Sequence, residues 1–190
     1  MGLSFNSMAI EMPTVHGHPN RAGFRGVLTI VDAASDKSPL GARGHRVLLT
    51  RRAAETAIPS LMGMGLDYSP ALDRHDARRK IGVITRAEIV GQVIEVAGFL
   101  YARDFPEIVA EIGNPERKQT STVAGPESKS RGLNASSRGL GMSYEIADAL
   151  VEDMTASVWV LNRVTFTGAA VLRRDKAAYR STWIELIRQL

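Results

Sequence analysis

Few side chains in this 190-residue chain could carry covalent chemistry. There is no cysteine, which excludes a thiolate nucleophile, a disulfide and a thiolate zinc site. The histidines are His16, His18, His45 and His75. His16 and His18 form an H-x-H pair in a stretch with Pro13, Gly17 and Pro19. No third metal ligand accompanies them, so the pair reads as exposed. His45 precedes an apolar run and reads as a polar edge residue. His75 lies in Asp73-Arg-His-Asp-Ala-Arg-Arg-Lys-Ile-Gly82, with a carboxylate two residues before it and another directly after. A loop histidine held against the start of a strand can act as a general base. Ser143 lies in Gly139-Leu-Gly-Met-Ser-Tyr-Glu-Ile146. The glycines permit positive φ and close backbone approach. A serine at such a strand start exposes Oγ and leaves backbone N–H groups for an oxyanion. The pattern is not G-x-S-x-G, so the nucleophile elbow does not apply. His75 and Ser143 are 68 positions apart, and only the tertiary fold can join them.

The elements that must position these two residues are mostly strands. Residues 1–22 read as an extended arm, and 23–190 as a single domain. Arg25 to Val31 and Arg46 to Thr50 are β-rich. Thr50 would cap a helix over Arg51 to Met62, with Ala54, Ile58, Leu61 and Met62 on one face. Leu66 to Lys80 reads as a polar loop. Ile81 to Glu88 and Val93 to Ala102 form a hairpin around Val90-Gly91-Gln92. Asp104 and Pro106 would begin a short helix reaching Ile112. Gly113 to Gly141 holds five Gly, five Ser and five Lys or Arg, and is expected to be a mobile loop. Leu140 to Ala147 and Ser157 to Leu172 return to strand. Asp175 to Leu190 places Tyr179, Trp183, Leu186, Ile187 and Leu190 at helical spacing, which predicts a C-terminal helix. Six or more strands with few helices give an α+β, mainly β chain: a barrel or sandwich with peripheral helices.

Charge adds one constraint. The net charge is +4, all of it in residues 1–80, which carry 11 basic against 7 acidic side chains; residues 81–190 balance at 13 each. The cluster Arg74, Arg78, Arg79, Lys80 could meet an acidic partner. Aromatic interleaving, zinc-finger spacing and heptads are missing, which disfavours nucleic acid. No run approaches a membrane span, and Met1 to Met12 lacks the features of a signal peptide.

In order and spacing the motifs resemble the prohead proteases of tailed phages, the capsid-maturation serine proteases whose fold is related to the herpesvirus assemblins. His75-Asp76…Ile81-Gly82 matches the family's histidine segment. Leu140-Gly-Met-Ser-Tyr144 is similar to its serine strand. Leu161-Asn-Arg-Val-Thr165 and Gly168-Ala-Ala170 stand where the family has its next strand and an alanine-rich turn. The likeness runs from about Gly26 to Tyr179. It implies an assemblin-like β-barrel and a serine endopeptidase without cofactor or metal. It further implies capsid and scaffold proteins as partners, a homo-oligomer, and a place in the bacterial cytoplasm inside the procapsid. His75 and Ser143 would be catalytic, and Arg173 or Arg174 would help hold the oxyanion or substrate. The family's acidic third member should follow the serine by about twenty residues, where this chain has Asn162 and Arg163. Asp76, Asp148, Glu152 and Asp153 are the substitutes. The competing expectation is a non-catalytic protease-fold scaffold or capsid-binding protein, which Arg163 favours.

Overall fold

The computed structural model describes residues 7–10, 18–113 and 139–187. Its elements in chain order are β1 (Ser7–Ala9), β2 (Ala22–Ile30), β3 (Arg46–Leu49), α1 (Arg51–Ala57), a 3₁₀ turn (Ile58–Leu61) and β4 (Gly65–Tyr68). They continue with β5 (Lys80–Val90), β6 (Val93–Leu100), α2 (Pro106–Gly113), β7 (Leu140–Val151), β8 (Val158–Arg173) and β9 (Trp183–Leu186). The chain is α+β and mainly β.

One sheet contains every strand, in the order β3-β8-β4-β5-β6-β2-β9, with β1 on β5 and β7 on β8. Its backbone is β8, sixteen residues rich in Val, Phe, Thr and Leu. One edge of β8 carries β3 and β4 end to end, both parallel to it, and the other edge carries β7 antiparallel. The sheet curls until β7 lies near β2 and β9. Gly26 of β2 admits the approach: a Cβ there would meet Met142 Sδ and the Trp183 carbonyl oxygen. No ladder joins β7 to β2 or β9 among the described residues. The barrel expected from the sequence is therefore a half-barrel, closed on that side by side-chain contact rather than by backbone pairing. Phe24, Leu28, Leu66, Ile84, Ile94, Leu100 and Phe166 fill its concave side and are fully buried.

Three expectations need correction. The start of the supposed polar loop 66–80 is strand β4. The predicted C-terminal helix is a run of turns followed by β9, which pairs antiparallel with β2 from Phe24↔Leu186 to Val27↔Trp183. Helical spacing of the apolar residues was real, but an unpaired edge of β2 offers backbone partners that an isolated last helix lacks. Third, the helix capped by Thr50 leaves α-geometry at Ile58, and Pro59 sits in the following 3₁₀ turn. The 113–141 loop expectation falls almost wholly outside the described residues. None of the described helices is long and apolar enough to cross a membrane.

Candidate functional site

The site grows from the register of three strands. Ala170 on β8 pairs with Ser143 on β7 and with Asp67 on β4. Lys80 pairs with Asp67 from the far side. Paired residues point to the same face, and neighbouring strands lie about 4.8 Å apart. Ser143, Ala170, Asp67 and Lys80 thus form one row across four strands. The residues flanking that row, Tyr144, Ala169 and Leu66, belong to the core on the opposite face. Ala170 instead clusters with Leu172 and Ala177. Its side chain is fully buried.

His75 occupies the loop beside this row. Its Nδ1 is 3.6 Å from Asp67 Oδ1 and 3.9 Å from Glu145 Oε1. His75 and Ser143 line one cleft of about 860 Å³, a volume in the range of small-molecule and peptide sites. Neither ring nitrogen has a hydrogen-bond partner among the described residues, although both are buried. The ring is thus held in a charged environment without a direct bond to Ser143 Oγ. The remaining walls are Lys37 to Ala42 on one side and Tyr144, Glu145 and Ile146 on the other, with Trp159 contributing farther along β8. His45 stacks on Trp159 with ring centroids 4.6 Å apart, and its Nδ1 lies 2.8 Å from the Ala156 carbonyl. His18 is far from this chemistry in role: its Nδ1 accepts the Asn20 N–H. His16 lies outside the described residues.

Asp67 is fully buried. Its Oδ1 accepts the backbone N–H of Asp76, and its Oδ2 accepts from Lys80 Nζ at 3.1 Å. Burial alone would raise its pKa, but the contacts with His75 and Lys80 outweigh burial and hold the carboxyl below its ordinary value. Asp67 is therefore an anion at neutral pH. Glu145 reaches the histidine by another route. Its side chain lies across Gly168, where a Cβ would stand 2.7 Å from Oε2.

The four acids suggested by sequence are elsewhere engaged, and none lines the cleft. Asp76 pairs with Arg78 and Arg79. Asp148, at a left-handed φ of 52°, accepts from the Thr165 hydroxyl. Glu152 accepts from Asn162. Asp153 caps Thr155 through both its N–H and its hydroxyl, and these bonds lower its pKa. Arg163 is exposed and pairs with Leu150. It stands seven residues along β8 from Ala170, roughly 23 Å at strand rise, so its charge does not bear on the histidine. Arg173 pairs with Asp175, the Arg174 guanidinium lies beside Gly139, and neither lines the cleft. The cations that do are Lys37, Arg74 and Lys176. Met142 N–H, next to the serine, is committed to Thr182 Oγ1.

Neither the protein-family models nor the curated proteins include a match to this chain. Ser143 from β7 and His75 from a loop line one cleft, and Asp67 of β4, buried and outside the cleft lining, lies 3.6 Å behind the histidine ring. Asp67 and Glu145 are the acids that sequence reasoning missed. The signal for Asp67 was a lone acid between Leu66 and Tyr68, bounded by Gly65 and Ser69, which is the alternation of a short strand. Among the described residues no group of three His, Cys, Asp or Glu side chains is placed to hold a metal ion.

Proposed function

We propose that this chain is a serine endopeptidase of the phage prohead-protease type, with an assemblin-like fold, that cleaves scaffold and capsid proteins, itself included, within an assembling shell. The observation that carries the reading is the convergence of Ser143 and His75 on one cleft from positions 68 residues apart. The order of the motifs supports the family. In the reaction Ser143 Oγ gives its proton to His75 and attacks the scissile carbonyl. His75 then passes that proton to the leaving amine, and water repeats the cycle on the acyl-enzyme. An apo serine–histidine pair is commonly loose and tightens with substrate. The cleft's mixture of apolar walls and three cations suits an extended polypeptide segment.

A second reading keeps the fold and partners without catalysis. The observation favouring it is that neither His75 ring nitrogen is hydrogen-bonded to Ser143. A fluorophosphonate probe separates the two. Covalent labelling of Ser143 in the wild type, abolished in Ser143→Ala and strongly reduced in His75→Ala, is the outcome expected for the protease. Incubation with the cognate capsid protein should then give discrete fragments in the wild type only. An unlabelled Ser143 together with intact capsid protein would leave the non-catalytic scaffold as the better description.

A further inference from the structure

Asp67 is the one fully buried carboxylate of the described residues, and a buried charge persists only when something holds it. Two cationic or polar ties account for its stability: Lys80 Nζ at 3.1 Å and the Asp76 N–H at 3.2 Å. A third neighbour, the His75 ring, is not needed to satisfy it, yet Nδ1 faces Oδ1 at 3.6 Å. The Asp76 amide belongs to the residue directly after the histidine. The same oxygen therefore grips the loop that carries the ring and faces the ring itself.

We infer that Asp67 is the positioning carboxylate of His75, fixing the loop through the Asp76 amide and keeping the imidazole proton on Nδ1, so that Nε2 is the base. This rests on the serine-protease reading. During acylation the Ser143 hydroxyl proton passes to Nε2 while the Nδ1 proton stays where it is. The imidazolium formed in that step gains the attraction of an anion already paid for in the folded state. The acid is reached from β4, before the histidine in sequence, rather than from a position after the serine. Glu145 is the rival. It is half-exposed and 3.9 Å from Nδ1, whereas Asp67 also accepts the backbone N–H of Asp76 in the histidine loop. Its long side chain is free to follow solvent, whereas Asp67 is fixed by the strand register that also places Ser143.

The test uses the full chain with two readouts. The first is the rate at which p-nitrophenyl acetate acylates Ser143, releasing p-nitrophenolate, or at which a fluorophosphonate phosphonylates it, releasing fluoride. Asp67→Asn should slow acylation on the order of 10³- to 10⁴-fold, with KM for the ester little changed. Asp67→Glu, which keeps the charge, should recover part of that loss. Glu145→Gln should slow acylation far less than Asp67→Asn does, and a loss as large as that of Asp67→Asn would give Glu145 the positioning role. The second readout is the ¹⁵N spectrum of the His75 ring, which reports the tautomer independently of activity. The wild type should carry the neutral-ring proton on Nδ1, and Asp67→Asn should shift population to Nε2. Normal acylation in Asp67→Asn, with Ser143→Ala and His75→Ala inactive, would overturn the positioning role and leave the protease reading standing. Wild-type protein whose Ser143 never reacts would overturn the protease reading, and the tautomer would then decide alone whether Asp67 governs the ring. An Nε2–H wild-type ring would overturn the inference whatever the activity, and whether or not Asp67→Asn folds.

Discussion

A single carboxylate illustrates how burial and partners act against each other. Burial pushes the Asp67 pKa up, and its contacts with His75 and Lys80 reverse that effect. Its folded-state pKa is lowered, so its contribution to stability is complete above the unfolded value of about 3.9 and is lost as pH falls through the lower folded value. Unfolding by urea between pH 7 and pH 2.5 should therefore show the wild type losing stability on acidification. Asp67→Asn lacks this contribution, so the stability difference between the two should narrow below about pH 4. Gly168 gives a complementary test. Replacing it by Ala sets a methyl group 2.7 Å from Glu145 Oε2, the mobile end of a half-exposed side chain. The fold should tolerate the change while Glu145 swings away from His75, and Ser143 acylation should be nearly unaltered. A large loss of rate in Gly168→Ala with unchanged melting temperature would give Glu145 the role assigned to Asp67. At this scale local signals, glycines before a strand and a histidine before a strand, singled out Ser143 and His75, and both line the cleft. The acid was not legible. Its relation to them is a pairing through Ala170, which no local pattern of residues records.

Strands β5 and β8 were recognised almost to their ends, β7 was ended at Ala147 although it runs on to Val151, and the four-residue β3 was read correctly. The four-residue β4 was absorbed into a loop because Gly65, Ser69 and Pro70 crowd it, and four residues carry too little alternation to declare a strand. The β9 error has the opposite cause: helical spacing was present, and a tertiary partner overrode it. Backbone crowding at β2 makes the closure testable. A methyl group at Gly26 would strike the Trp183 carbonyl, which is backbone and cannot rotate aside, as well as Met142 Sδ. Gly26→Ala should cost about 1–3 kcal/mol, measured by urea unfolding. An Ala variant as stable as the wild type would show that β2, β7 and β9 yield locally to admit a methyl group.

Across the whole molecule, one hydroxyl joins the two ends of the curled sheet. Thr182 Oγ1 accepts the Met142 N–H and donates to the Tyr179 carbonyl, and the residue is buried. Thr182→Val keeps the shape and strands the Met142 N–H, while the Tyr179 carbonyl still accepts the backbone N–H of residue 182, at a cost of about 1–3 kcal/mol. Met142 adjoins Ser143, so the variant should also slow acylation at temperatures where it is still fully folded. Unchanged acylation in folded Thr182→Val would show that the latch serves stability alone. The role of β8 as the shared neighbour of β4 and β7 has a chronological consequence. Synthesis delivers Asp67, His75 and Ser143 well before Ala170, and until Ala170 arrives nothing sets the acid and the serine in one row. Long-range pairings of this kind form late in folding. Until β8 is in place, Asp67 and Ser143 share no neighbour in the sheet. On the protease reading proposed above, the serine acquires its buried acid only as β8 pairs, so any self-cleavage would follow the folding of this strand.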